Sequence, residues 1–138
     1  MTNVYNRVRI TIDSDQTNLD MVVGFVKSYA KRYGLVDDGI DTAVSEAFNN
    51  ACIHAYDKRD QRVTIKMFDM NHQFIKVIVS DTGKGISDVK RAMEPLYSSV
   101  EQMSGMGFTI MDSFADRIKV SSRPGKGTTV SMWFRIKK

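Results

Sequence analysis

Val8, Ile10 and Ile12 alternate with polar residues in the run NRVRITI, and that two-residue period predicts a strand with one face buried. Asp15 to Asn18 then supply turn and capping side chains. From Leu19 the period changes. Val22, Val23, Val26, Tyr29, Ala30 and Tyr33 recur as on one face of a helix, and Gly34 is placed to end it. Ile40, Val44, Ala47 and Ala51 predict a second helix, capped by Asp37 or Asp38 and running to about His54. RVTIKMFD and QFIKVIVSD are β-rich runs separated by MNHQ, so they read as a hairpin whose second strand ends at Asp81. No period is sustained between Gly83 and Gly107, where a long lid-like loop with one short helix near Val89 to Met93 is expected. Phe108, Ile110, Met111 and Phe114 mark a third helix, and RIKVSS, the turn RPGKG and the strand TTVSMWFRI complete the chain. Two helices on an antiparallel or mixed sheet of four or five strands, with a third helix after the lid, predict an α/β (α+β) fold, a two-layer sandwich.

One residue pair does not fit a purely structural helix. Glu46 and Asn50 sit one turn apart near the edge of the apolar stripe, where the bland reading is an exposed Glu hydrogen-bonded to its neighbour. The functional reading is that Asn50 offers an amide oxygen to a Mg²⁺ that also bridges phosphates, while Glu46 accepts a proton from an attacking hydroxyl.

Composition narrows the classes. The 138 residues suit one domain spanning 1–138, with 42% hydrophobic and 26% charged residues. A single cysteine, Cys52, cannot form an internal disulfide, and no N-terminal apolar run resembles a signal peptide or membrane span, so a cytoplasmic protein without a membrane partner is expected. The net charge of +4 suits an acidic partner or a phosphate ligand, but the basic residues are scattered without a Lys/Arg run. No direct nucleic-acid partner is expected.

Two glycine-rich runs carry further chemistry. DTGKGI puts Asp81 at the end of a buried strand with Gly83 and Gly85 immediately after it, so the backbone can approach a flat ligand while the carboxylate accepts a hydrogen bond from an exocyclic amine such as that of adenine. Taken alone, such a run is more often a tight turn, since Asp and Gly are favoured there for local reasons. SGMGFTIM puts Gly105 and Gly107 at the mouth of a helix, where free N–H groups and the positive dipole end attract phosphate, although glycines there also serve as hinges without any anion. His54 and His72 have no zinc-type spacing. His54 reads as a core or supporting residue and His72 as a hairpin-turn residue, while Met67, Met106 and Met111 read as packing or loop residues.

The order of these pieces is more telling than any one of them. Glu-x-x-x-Asn on a helix, strand-Asp-x-Gly-x-Gly, a long loop, Gly-x-Gly opening a helix, and Gly-Thr-Thr on a last strand resemble the GHKL (Bergerat-type) ATP-binding fold of gyrases, histidine kinases and their relatives, with its ATP lid. VSEAFNNACIHAY, DTGKGI and SGMGFTIM are similar to one branch, the bacterial anti-sigma factors that are also serine-protein kinases, of the SpoIIAB and RsbW type; the similarity runs from about Ile40 to Ile136.

That resemblance implies ATP and Mg²⁺ as cofactors, with Asn50 as the metal ligand and Glu46 as the general base. Asp81 would read adenine with support from Thr128. Gly83, Gly85 and Ile86 would flank the base, and Ser104, Gly105, Met106 and Gly107 would line the phosphates. The implied partners are an RNA polymerase sigma factor, a STAS-type anti-anti-sigma factor phosphorylated on serine, and a second copy in a homodimer. The chain departs from the branch at Met103, where sporulation relatives carry an arginine; Lys84 or Arg91 could take over that charge. Two rivals stand beside this reading. One is the catalytic domain of a sensor histidine kinase, disfavoured because no phosphoacceptor-His helix pair is expected before residue 40. The other is a nucleotide-switched binding module without phosphoryl transfer, which Met103 favours.

Overall fold

Residues 2–36, 39–54, 61–81, 107–123 and 127–137 are described by a computed structural model. Among them, five strands and three α-helices follow in the order β1 (Val4–Asp13), α1 (Leu19–Lys31), α2 (Ile40–His54), β2 (Arg62–Met70), β3 (Phe74–Asp81), α3 (Gly107–Phe114), β4 (Arg117–Arg123) and β5 (Gly127–Arg135), with a 3-10 turn, Gln16–Asn18, before α1. β1 begins earlier than the alternation alone suggests, because a bulge between Tyr5 and Val8, with Asn6 at φ 51°, lets the strand continue across a broken period. Asp15 caps the turn by accepting the Thr17 N–H at 2.9 Å. Gly34 takes φ 74° three residues past α1, the left-handed conformation that a helix stop requires.

The hairpin between β2 and β3 closes on Asn71 and His72, both at positive φ (58° and 57°), with the Gln73 N–H donating to the Met70 carbonyl at 3.0 Å. Buried Asp69 holds that turn from below, accepting from the His72 N–H and pairing with His72 Nδ1, each at 2.7 Å. His72 is therefore a hairpin-turn residue as expected. The Asp37 or Asp38 cap, the lid with its short helix and the tip of the RPGKG turn lie outside the described residues, as does the side chain of His54.

Every neighbouring pair of strands is antiparallel, in the order β1-β2-β3-β5-β4. The last strand therefore inserts between β3 and β4. One face of the sheet carries Ile65, Met67, Val77, Val79, Val130 and Met132, all buried against Val22 and Val26 of α1, Val44 and Phe48 of α2, and Met111 of α3. Each large apolar side chain removed from water there contributes about 1.5–3 kcal/mol, so this face, and not the short helices alone, fixes where α2 and α3 sit. The result is the two-layer sandwich, with the sheet antiparallel throughout.

Candidate functional site

α2 packs with Ile40, Val44, Ala47, Phe48 and Ala51 buried, and that register decides the position of its two polar residues. Asn50 falls well inside the stripe, not at its edge: it is only 3% exposed. Its Oδ1 has no hydrogen-bond partner among the described residues. An orphaned buried carbonyl oxygen costs about 1–3 kcal/mol, so its presence in an otherwise well-packed helix points to a ligand that uses it. A hard divalent cation, bound through oxygen, is the chemistry that such a donor fits.

Glu46, one turn earlier, is half-buried, and burial pushes its carboxyl above the ordinary glutamate value. Desolvation disfavours its charged form, which makes it a better proton acceptor than an exposed carboxylate once ionised. The bland alternative of an exposed Glu is corrected in one respect: Glu46 is half-buried, and a bond from the Asn50 amide N–H to its carboxylate would still leave Oδ1 unpartnered.

Asp81 ends β3, paired with Val63. The β3–β5 register runs to Ser80 opposite Thr129, so the next step along both strands brings Asp81 beside Thr128. Thr128 is buried, with its hydroxyl 2.9 Å from Ser122 Oγ. Asp81 also lies near the C-terminal half of α2. There, burial first and then the charges of Asp15 and Asp81 push the Cys52 thiol up to about 11. A thiol held there stays protonated and inert.

α3 supplies the last element. Phe114, at its C-terminal end, abuts Gly39 just before α2, and the two helices pack on each other. The first N–H groups of a helix have no intrahelical partner, so the start of α3 at Gly107 is a candidate anion site.

Asp81 and Thr128 thus lie side by side near the C-terminal half of α2, the helix that carries Glu46 and Asn50 and packs against the helix begun by Gly107. Gly83, Gly85, Ile86, Ser104, Gly105 and Met106 lie outside the described residues, as do Lys84, Arg91 and Met103. One residue escaped sequence reasoning: Thr109, in the first turn of α3, has a buried Oγ1 without a hydrogen-bond partner among the described residues. A hydroxyl donor beside a helix N-terminus suits a phosphate oxygen, and threonine's preference for helix starts was the signal available in SGMGFTIM. Chemically, the site offers an acceptor for an amine at Asp81, an oxygen donor for a cation at Asn50, a positive helix end for phosphate and a carboxylate for a proton.

Residues 12–134 match the histidine kinase-like ATPase domain family. Over 95 residues the chain is 48% identical to the anti-sigma F factor of Caldanaerobacter subterraneus subsp. tengcongensis, covering 67% of this chain and 66% of that protein. The anti-sigma F factor of Clostridium beijerinckii is 38% identical over 111 residues, covering 79% and 77%. The chain thus spans about two thirds of the length of the first of these relatives. Among solved structures, the RsbU and RsbW domains of a Mycobacterium tuberculosis protein superpose with a TM-score of 0.69 over 95% of this chain and 32% of that one, at 18% identity. The histidine kinase domain of a blue-light activated kinase from Erythrobacter litoralis gives 0.58 over 91% and 62%, at 19% identity. At those identities the likeness is one of fold. An acidic strand end, an orphaned helix amide and a glycine-started helix, in the chain order of that ATPase domain and with these relatives, place the chain in the histidine kinase-like (GHKL) ATPase family, in its anti-sigma factor branch.

Proposed function

We propose that this protein is a cytoplasmic anti-sigma factor that sequesters an RNA polymerase sigma subunit as a homodimer, and that uses Mg-ATP to phosphorylate a serine of a STAS-type anti-anti-sigma antagonist. The observation that carries the enzymatic part is the pairing of a half-buried Glu46 of raised pKa with the unpartnered Asn50 Oδ1 one helical turn on. The relatives named anti-sigma F factor support the regulatory part. Among the described residues, no helix is long and apolar enough to cross a membrane.

In this reading Asp81 selects the base by accepting from its exocyclic amine, with Thr128 beside it on the next strand. Asn50 holds Mg²⁺ through Oδ1, and the α3 N-terminus with the Thr109 hydroxyl orients phosphate oxygens. The bound Mg²⁺ supplies charge neutralisation on the transferring phosphoryl group. Glu46 takes the proton of the serine hydroxyl as that oxygen attacks, and its partial burial keeps water from competing for the carboxylate.

The test is transfer of label from ATP to a candidate antagonist by the parent protein and by Glu46→Gln. The variant should bind Mg-ATP nearly as well as the parent, yet transfer about 10²- to 10⁴-fold more slowly, the range for one positioned base. Full transfer by Glu46→Gln would remove the base from this residue. Absence of transfer in the parent despite Mg-ATP binding would leave a nucleotide-switched binding module, the reading that Met103 favours.

A further inference from the structure

The sheet face opposite the helices has a composition that the nucleotide site does not use. Pairing register puts Arg9 beside Lys66, with Ile78, Ser131 and Lys119 continuing that row, while Phe68, Lys76, Trp133 and Arg117 form the next. Among the described residues, the outward positions of β2, β3, β4 and β5 include no acidic side chain. Trp133, the one tryptophan of the chain, lies on this face between Lys76 of β3 and Arg117 of β4. It is only 8% exposed yet does not belong to the core cluster. Its cover is cationic, with Lys76 Nζ at 4.7 Å and the Arg117 guanidinium at 4.8 Å from the ring centroid. Arg135 lies over Phe74 in the same way, at 4.7 Å. Crowding lowers the Lys76 pKa, through burial first and then the charges of Lys119 and Arg117.

Among the described residues no carboxylate stands between these cations, which the aromatic rings stabilise. At the β1–β2 side of the face, a cleft of about 460 Å³ is lined by Val4, Val8 and Phe68 together with Arg7, Arg9 and Lys66. It combines an apolar floor with a basic rim.

We propose that this open sheet face is a docking surface for an acidic polypeptide segment, whose carboxylates meet the Arg9–Lys66–Lys119 row and whose apolar side chain seats in the β1–β2 cleft. Charge complementarity selects the occupant. A second copy would bring the same cationic row against itself, and like charges across an interface are unfavourable. Single-stranded nucleic acid is disfavoured because Trp133 and Phe74 already carry cations on their faces and offer no open platform for base stacking. The surface is independent of the nucleotide site, so it stands or falls apart from the kinase reading.

Trp133 makes the surface self-reporting. Titrating the protein with a short peptide rich in Glu and Asp and carrying one central Phe should change Trp133 fluorescence and saturate, with affinity falling steeply as salt rises. Lys66→Glu combined with Lys119→Glu spares the cations over the rings, and should weaken the peptide at least about tenfold while leaving Mg-ATP affinity and the melting temperature close to the parent's. A polyglycine–serine peptide of equal length should leave the fluorescence unchanged. The proposal is overturned by any of four results: no saturable response to the acidic peptide, equal binding by the double variant, tighter binding of an oligothymidylate or of phosphatidylserine vesicles at the same residues, or a parent dimer that the double variant strengthens.

Discussion

Asn50 and Glu46 show how far a single residue can be read. Their spacing and chemical types were visible in the run SEAFNN, but their burial was not, because the width of the apolar stripe depends on what α2 packs against. Asn50 was expected at the edge and lies inside. That difference strengthens the metal-ligand reading, since an exposed amide can bond to water and a buried one cannot. For Glu46, burial raises the folded-state pKa, so the native protein holds this proton more tightly than the unfolded chain does. Unfolding then releases a proton in the window between the ordinary glutamate value and the raised one, and stability contributed at this site falls as pH rises through that window. Glu46→Gln removes the ionisation while keeping the shape. Urea unfolding of both proteins should therefore show similar stability at acidic pH, with the variant gaining on the parent as pH approaches neutrality. A stability gap that stays constant with pH would mean that the carboxyl is not desolvated.

At the scale of elements, the helices and the hairpin were legible because each announces itself locally. α1 and α2 carry a 3.6-residue period, and the Asn71–His72 turn separates two alternating runs. The contact between α2 and α3 was not legible, since it joins distant parts of the chain. Gly39 shows its consequence. The residue sits at φ 81°, with its carbonyl accepting the Ala43 N–H at 2.9 Å, and a Cβ there would come within 2.0 Å of the Phe114 ring. Gly39→Ala should thus lose stability for two separable reasons: backbone strain of about 1 kcal/mol or more in the left-handed region, and displacement of Phe114. Phe114 is 44% exposed, so its ring has room to swing away. Pairing Gly39→Ala with Phe114→Ala should recover only the steric part in chemical denaturation. Complete recovery would show that the backbone conformation costs nothing, and no loss in the single variant would show that the two helices do not meet there.

The whole molecule combines what was readable with what was not. The order β1-β2-β3-β5-β4 follows from β5 pairing with two strands at once, a non-local choice that no periodicity encodes. The same topology explains why scattered basic residues, without any run in sequence, become one cationic face: alternate positions of adjacent antiparallel strands point the same way. It also brings Asp81 next to Thr128 and both within range of α2, so the nucleotide site is a property of the assembled sandwich and its ligand must stabilise that assembly as a unit. At a ligand concentration about 100 times its dissociation constant, binding to the native state alone adds about 2.7 kcal/mol, on the order of a 10 °C rise in melting temperature for a chain of this size. Calorimetric melts with ATP, in Mg²⁺ and in a chelator, should show that rise with the larger value in Mg²⁺. With Asp81 reading the adenine amine as proposed, Asp81→Asn turns that acceptor into a donor, which should weaken binding about tenfold or more and remove roughly half of the rise in both conditions. With Asn50 holding the metal as proposed, Asn50→Ala should act on the metal alone: the shift in chelator should match the parent's, and the extra shift from Mg²⁺ should vanish. If Asn50→Ala keeps the full difference between Mg²⁺ and chelator, the orphaned Oδ1 is not a metal ligand, and the helix that carries it contributes to the site through Glu46 alone.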